Sequence, residues 1–224
     1  MAHFPRSCYM ASVLQTTFAL PAFRDRYLPT SKSHWEYCPE TLPADCLDCQ
    51  LHKLADGLLS GRYSHPRPAG NAPAPPANLS APAADPTPVF QEGVRPSTFK
   101  ALIGRGHDEF ATMRQQDSEE FFTHFVAAVR RQLKRTGAGA DPTTVFAFGT
   151  EQRLQCGECA RVRYRVDAAD VVSVPVPKRE KGVDGEGKAQ FEDVSLAECL
   201  DVLTGVEALE YTCPSCQKQV IAQK

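Results

Sequence analysis

Apolar positions recur along this chain with two different periods, helical over roughly its first 136 residues and alternating beyond Gly137. From Tyr9 to Leu20, Met10, Val13, Leu14 and Phe18 fall on one helical face, and Pro21 stops the pattern. From about Ala44 to Leu59, Leu47, Leu51, Leu54, Leu58 and Leu59 form a stripe that ends before Gly61. Phe99 to Ile103 suits a short helix, after which Gly104 and Gly106 loosen the backbone. The clearest helix start is at Asp117, which with Glu120 has the form of a capping box. Behind it Phe121, Phe122, Phe125, Val126, Val129 and Leu133 line one face. Further on, Val162, Tyr164 and Val166 alternate with Arg161, Arg163 and Arg165, and Val171 to Val176 is a second β-branched run, which together predict a β ribbon. Pro177 to Gln190, charged and glycine-containing, reads as a mobile loop. Leu196 to Leu203 suits a short helix, and Gln219-Val220-Ile221 a strand. Helices followed by strands predict an α+β chain.

Composition interrupts this order once. From Ser64 to Pro88 the residues are mostly Pro, Ala, Asn and Ser, leaving too little apolar surface to offset the entropy of ordering, so 64–88 is expected to be a disordered insertion. The predicted organisation is therefore a helical segment 1–63, the insertion, a second helical segment 89–136, and a β-rich segment 137–224. With 224 residues, 42% hydrophobic, the chain can bury a core. A net charge of −2 creates no field that draws in a nucleic acid or an anionic membrane, and no run reaches the roughly 20 apolar residues of a membrane span. Arg161, Arg163 and Arg165 share a strand face, but Asp167 and Asp170 dilute them, so neither nucleic acid nor membrane is expected as a partner.

The nine cysteines are odd in number and grouped in Cys-x-x-Cys pairs, which fits metal or thiolate chemistry in a reducing cytoplasmic or nuclear setting. Cys156-Gly157-Glu158-Cys159 and Cys213-Pro214-Ser215-Cys216 are knuckles of equal spacing, together able to present four thiolates to one tetrahedral Zn2+. Four thiolates close the coordination shell, so the site is expected to be structural. Cys46-Leu47-Asp48-Cys49 is a third pair with Cys38 as its one neighbour in sequence; on an apolar helix these read as small buried hydrophobes, as does Cys199. Cys8 stands where a helix begins, and a helix N-terminus offers unpaired N–H groups and a positive dipole end to a thiolate.

Two strings and their order resemble the ubiquitin-specific protease family. Cys8-Tyr9-Met10-Ala11-Ser12-Val13-Leu14-Gln15 resembles its cysteine box, and Gln115-Gln116-Asp117-Ser118-Glu119-Glu120-Phe121 its second box. Phe99-Lys100-Ala101-Leu102-Ile103-Gly104-Arg105-Gly106-His107-Asp108-Glu109-Phe110 resembles the isopeptidase T branch. The resemblance implies part of a papain-like cysteine protease fold, a helical thumb and part of a zinc-bearing fingers subdomain. It implies a deubiquitinase whose Cys8 attacks the carbonyl of ubiquitin's C-terminal glycine in an isopeptide bond, within unanchored polyubiquitin for this branch. Gln116, Asp117 and Glu120 match positions that hold the ubiquitin tail, where carboxylates suit a basic extended segment.

The pattern departs at two places. Where the family has an Asn five residues before the cysteine, to help stabilise the oxyanion, this chain reads His3-Phe4-Pro5-Arg6-Ser7. The family's histidine lies in a box expected beyond residue 224; His107 and His124 read as structural, and His3, His34, His52 and His65 have no supporting motif. A second reading therefore stands beside the protease, a non-catalytic ubiquitin-binding fragment that contains zinc.

Overall fold

Proline shapes the first turn of this chain twice. In the computed structural model, which describes residues 7–28, 34–61, 63, 94–137 and 139–224, helix α1 runs Cys8–Ala19 and does stop before Pro21. Yet Pro21 also opens a helix not anticipated from the sequence, α2 at Pro21–Tyr27, because the first helical position needs no N–H and proline's fixed φ suits it. Leu20, extended at ψ 135, caps both helices. The expected insertion 64–88 and the stretch His3-Phe4-Pro5-Arg6 lie outside the described residues.

The chain divides into two units, Met1–Val145 and Phe146–Lys224. In the first, a 3-10 turn at His34–Glu36 precedes α3 (Leu47–Leu59); α4 (Ser97–Ile103) and α5 (Ser118–Thr136) follow. The side chain of Asp117 caps α5 by accepting the N–H groups of Glu119 and Glu120, and Gly137 closes it in the left-handed region at φ 62. Buried aromatic rings make the core. Phe18, Phe23 and Tyr27 pack edge to face or tilted, Phe23 and Phe99 meet Phe125, and Tyr9 and Phe110 meet Phe121. Of the predicted α5 face, Phe121, Phe125, Val126, Val129 and Leu133 are buried, while Phe122 is half-buried.

The second unit is a four-stranded antiparallel sheet of order β2-β1-β6-β5, from β1 (Phe148–Cys156), β2 (Val162–Ala169), β5 (Ala208–Cys213) and β6 (Lys218–Gln223). Helix α6 (Leu196–Thr204) carries a complete capping box, with Ser195 and Glu198 bonding reciprocally. Two expectations need correction. Val171 to Val176 is not a strand, since Pro175 and Pro177 remove the N–H groups a ladder needs. The segment 177–190, expected as a loop, instead contributes to a hairpin of β3 (Glu180–Val183) and β4 (Ala189–Phe191), whose turn is held by the Asp184 carboxylate accepting from Glu186 and Lys188 N–H. The alternation in β2 is real, but Val162, Tyr164 and Val166 stay exposed within the unit.

Candidate active site and metal centre

Cys8 is the first helical residue of α1 and is exposed, while its neighbours Ser7, Tyr9 and Met10 are buried. An exposed thiol thus stands at the N-terminal end of α1, next to buried residues. Its sulfur donates to Gln115 Oε1 at 3.2 Å. Gln115 belongs to the predicted box but was not singled out; its sequence offered no reason to prefer it over Gln116, because which glutamine faces the cysteine depends on the loop between α4 and α5.

That loop is fastened from below by Lys100. Only 6% exposed, Lys100 donates through Nζ to the Tyr9 hydroxyl at 3.2 Å, to the Phe110 carbonyl at 3.3 Å and to the Thr112 carbonyl at 2.9 Å. Three acceptors satisfy the three N–H bonds of an ammonium group, which is what makes its burial tolerable. Gly104 lies so close to the Phe110 carbonyl that a Cβ would collide with that backbone, reaching Phe110 C at 2.7 Å. Gln116 serves the same loop, donating from Nε2 to Glu109 O at 3.2 Å.

Asp117 and Glu120 are exposed at the head of α5. Both cap bonds go to Asp117 Oδ1, at 2.7 and 3.2 Å, and a carboxylate keeps further lone pairs for another donor. Of the two histidines, His124 Nε2 donates to Ile103 O at 2.8 Å, and His107 stacks on Phe110 with its Nδ1 accepting the Phe110 N–H. Burial lowers the pKa of His124, with His107 and Arg131 adding to the effect. Both rings serve the fold around Phe110, as expected.

In the second unit the ladders β1–β6 and β5–β6 bring Cys156, Cys159, Cys213 and Cys216 together, their sulfurs within 4.8 Å of one another. Cys156 to Cys216 is 3.8 Å and Cys159 to Cys213 is 3.7 Å. The edge of a tetrahedron with bonds of about 2.3 Å is about 3.8 Å, so the four residues fit a Zn2+-sized ion. The knuckles are matched in backbone as well. Ala160 and Gln217, each directly after the second cysteine of its pair, adopt φ of 56 and 54. Ala160 N–H returns to Cys156 O and Gln217 N–H to Cys213 O. Gly157 donates to Ile221 O, and a Cβ there would sit 2.5 Å from that oxygen. N–H groups of Cys216 and Ser215 draw the Cys213 thiol down to about 6, and the bond to Cys213 pushes Cys216 up to about 12.

The chain is similar to known proteins over most of its length. The chain is 37% identical over 214 residues to ubiquitin carboxyl-terminal hydrolase 14 of Schizosaccharomyces pombe, covering 96% of this chain and 26% of that one. It is 35% identical over 198 residues to human ubiquitin carboxyl-terminal hydrolase 5, covering 85% and 22% respectively, in keeping with the isopeptidase T-like branch. The chain thus spans about a quarter of the length of these relatives. Its fold is similar to a chain in the SAGA Ubp8/Sgf11/Sus1/Sgf73 DUB module bound to ubiquitin aldehyde, with TM-score 0.64 at 19% identity, covering 100% of this chain and 42% of that one. The expected α+β architecture, part of a ubiquitin-specific protease fold, is what that likeness shows. Matched from residue 3 to residue 219 by the ubiquitin carboxyl-terminal hydrolase profile, the chain belongs to that family.

Proposed function

We propose that this chain carries the nucleophile of a thiol-dependent deubiquitinase. The observation that supports it most is the exposed Cys8 at the head of α1 with its sulfur 3.2 Å from Gln115 Oε1. In the reaction, the Cys8 thiolate adds to the carbonyl of ubiquitin's terminal glycine and the C–N bond breaks. The amine leaves with a proton, and a thioester remains; water then cleaves the thioester to a carboxylate and the free thiol. Asp117 and Glu120 draw in the basic tail of ubiquitin, Asp117 while still capping α5. Gln116 contributes by holding the loop beside them. His107 and His124 are engaged with Phe110 and Ile103, and the proposal gives them no proton transfer.

Resemblance of the stretch 99–110 to the isopeptidase T branch favours unanchored polyubiquitin as the substrate. Zn2+ held by Cys156, Cys159, Cys213 and Cys216 would have a structural role, since four thiolates leave no position for water. The cysteine pattern favours a cytoplasmic or nuclear protein.

The test is intact mass after mixing the chain with ubiquitin carrying a thiol-reactive C-terminus. A covalent adduct that is lost in Cys8→Ala is the expected result. Folded protein that forms none would overturn the nucleophile and leave the non-catalytic ubiquitin-binding reading, to be followed by a direct binding assay.

A further inference from the structure

We propose that His34, Cys38, Cys46 and Cys49 form a second structural zinc site, in the helical unit and independent of the knuckles. The cysteine pair at 46–49, read from the sequence as buried hydrophobes, is indeed buried, with Cys46 1% and Cys49 3% exposed. Burial is not the whole of its setting. Cys46 is the extended residue just before α3, at φ −97 and ψ 120, and Cys49 lies in the first turn, so the pair has a knuckle's shape. Asp45 N–H returns to Leu42 O, Gln50 N–H to Cys46 O, and Gln50 Nε2 to Pro43 O. These bonds fix the turn that presents both sulfurs.

His34 and Cys38 come to the same point from the 3-10 turn, where Tyr37 N–H donates to His34 O. His34 Nε2 lies 3.3 Å from Cys46 Sγ, and the four donor atoms are within 4.8 Å of one another. With bonds of about 2.3 Å to sulfur and 2.0 Å to nitrogen, a tetrahedral ion sets an N to S edge of about 3.5 Å. The imidazole is held in place, stacked on His52 at 5.8 Å with the rings 2° from parallel and meeting Tyr37 edge to face. Three thiolates and an imidazole make a closed set suited to Zn2+.

Two simpler readings account for less. Small buried hydrophobes would explain Cys46 and Cys49 but not an imidazole nitrogen beside the sulfur. A redox Cys-x-x-Cys at a helix start needs two sulfurs, not four converging donors. The site also answers a packing question. Tyr37 and Leu42 are 63% and 59% exposed, so the irregular stretch between the 3-10 turn and α3 has little apolar burial to hold it. A metal joining residues 34 and 38 to the start of α3 supplies what burial does not.

The test is zinc content per folded full chain. Two equivalents are expected in the wild type, and one in each of the double variants Cys156→Ser/Cys213→Ser and Cys46→Ser/Cys49→Ser. One equivalent in the wild type and none in Cys156→Ser/Cys213→Ser would overturn the site, as would a mass loss of two hydrogens showing a metal-free Cys46–Cys49 disulfide. Should Cys46→Ser/Cys49→Ser not fold, cobalt replaces zinc in Cys156→Ser/Cys213→Ser, alone and with His34→Cys added. A tetrahedral cobalt spectrum whose thiolate charge-transfer band grows on adding His34→Cys supports His34 as a ligand; an unchanged band rejects it. Adduct formation at Cys8 plays no part in these readouts, so the site stands or falls separately from the proposed activity.

Discussion

Cys8 is exposed among buried neighbours, so its chemistry depends on a few side chains that were not equally visible in the sequence. Gln115 is one. Because its side chain is exposed, Gln115→Ala should leave stability within about 0.5 kcal/mol of wild type. It should slow adduct formation with the ubiquitin probe about tenfold, by freeing the thiol from the position the hydrogen bond holds. An unchanged rate would remove Gln115 from the site. His124 acts on stability instead. Burial lowers its folded pKa below the unfolded value near 6.5, so the unfolded chain takes up the proton first as pH falls. The contribution is complete above about pH 6.5 and is lost on acidification through the folded value. His52, also lowered by burial, has the same sign. A melting temperature that falls between about pH 7 and pH 5, less steeply in His124→Gln, is the expected outcome. An identical slope in the variant would exclude His124 as a source.

Among the elements, α5 and the loop before it decide whether the candidate site is assembled. Asp117 has two roles, and two substitutions separate them. Asp117→Ala removes the cap and should cost about 1 kcal/mol in a denaturant melt, whereas Asp117→Asn keeps a capping oxygen and should cost a few tenths. Both should weaken ubiquitin capture; equal capture by the Asn variant would confine Asp117 to the helix. Gly104→Ala forces a methyl group into the backbone at Phe110, whose carbonyl Lys100 also holds. The loop must then shift, with a loss of about 2 kcal/mol or more and slower labelling of Cys8. Wild-type stability in Gly104→Ala would refute the close approach. At this scale the sequence was informative where one rule dominated. Helical spacing made α1 and α3 legible, and spacing with a side-chain cap made α5 so. Pro21 has opposite meanings on its two sides, so α2 was missed, and the hairpin β3–β4 is too polar to show a strand period.

At the scale of the whole molecule, the two units are stabilised differently. Among the described residues, the first buries the aromatic side chains of Phe18, Phe23, Tyr27, Phe99, Phe110, Phe121 and Phe125 to below 2% exposure. In the second, the apolar cluster is Cys156, Cys213 and Val220, with Tyr211 and Cys216 against it, so the candidate metal-binding cysteines are most of that cluster. Little of that unit's stability can come from apolar burial, and under the proposed zinc site metal binding would supply the rest. Cys213→Ser should therefore speed amide exchange in β1, β5 and β6 while α1 and α5 keep their protection. Uniform loss across both units, or none in the strands, would contradict this division. The sequence alone determined the helices with strong periodicity, the α+β order, the nucleophile candidate and the matched knuckles, because each is written in residues close together in the chain. Only tertiary structure decided that Gln115 rather than Gln116 meets Cys8, that Lys100 ties the loop to Tyr9, and that His34 and Cys38 join Cys46 and Cys49. Such contacts depend on where separate segments converge, and spacing along a chain does not encode that convergence until a core has formed.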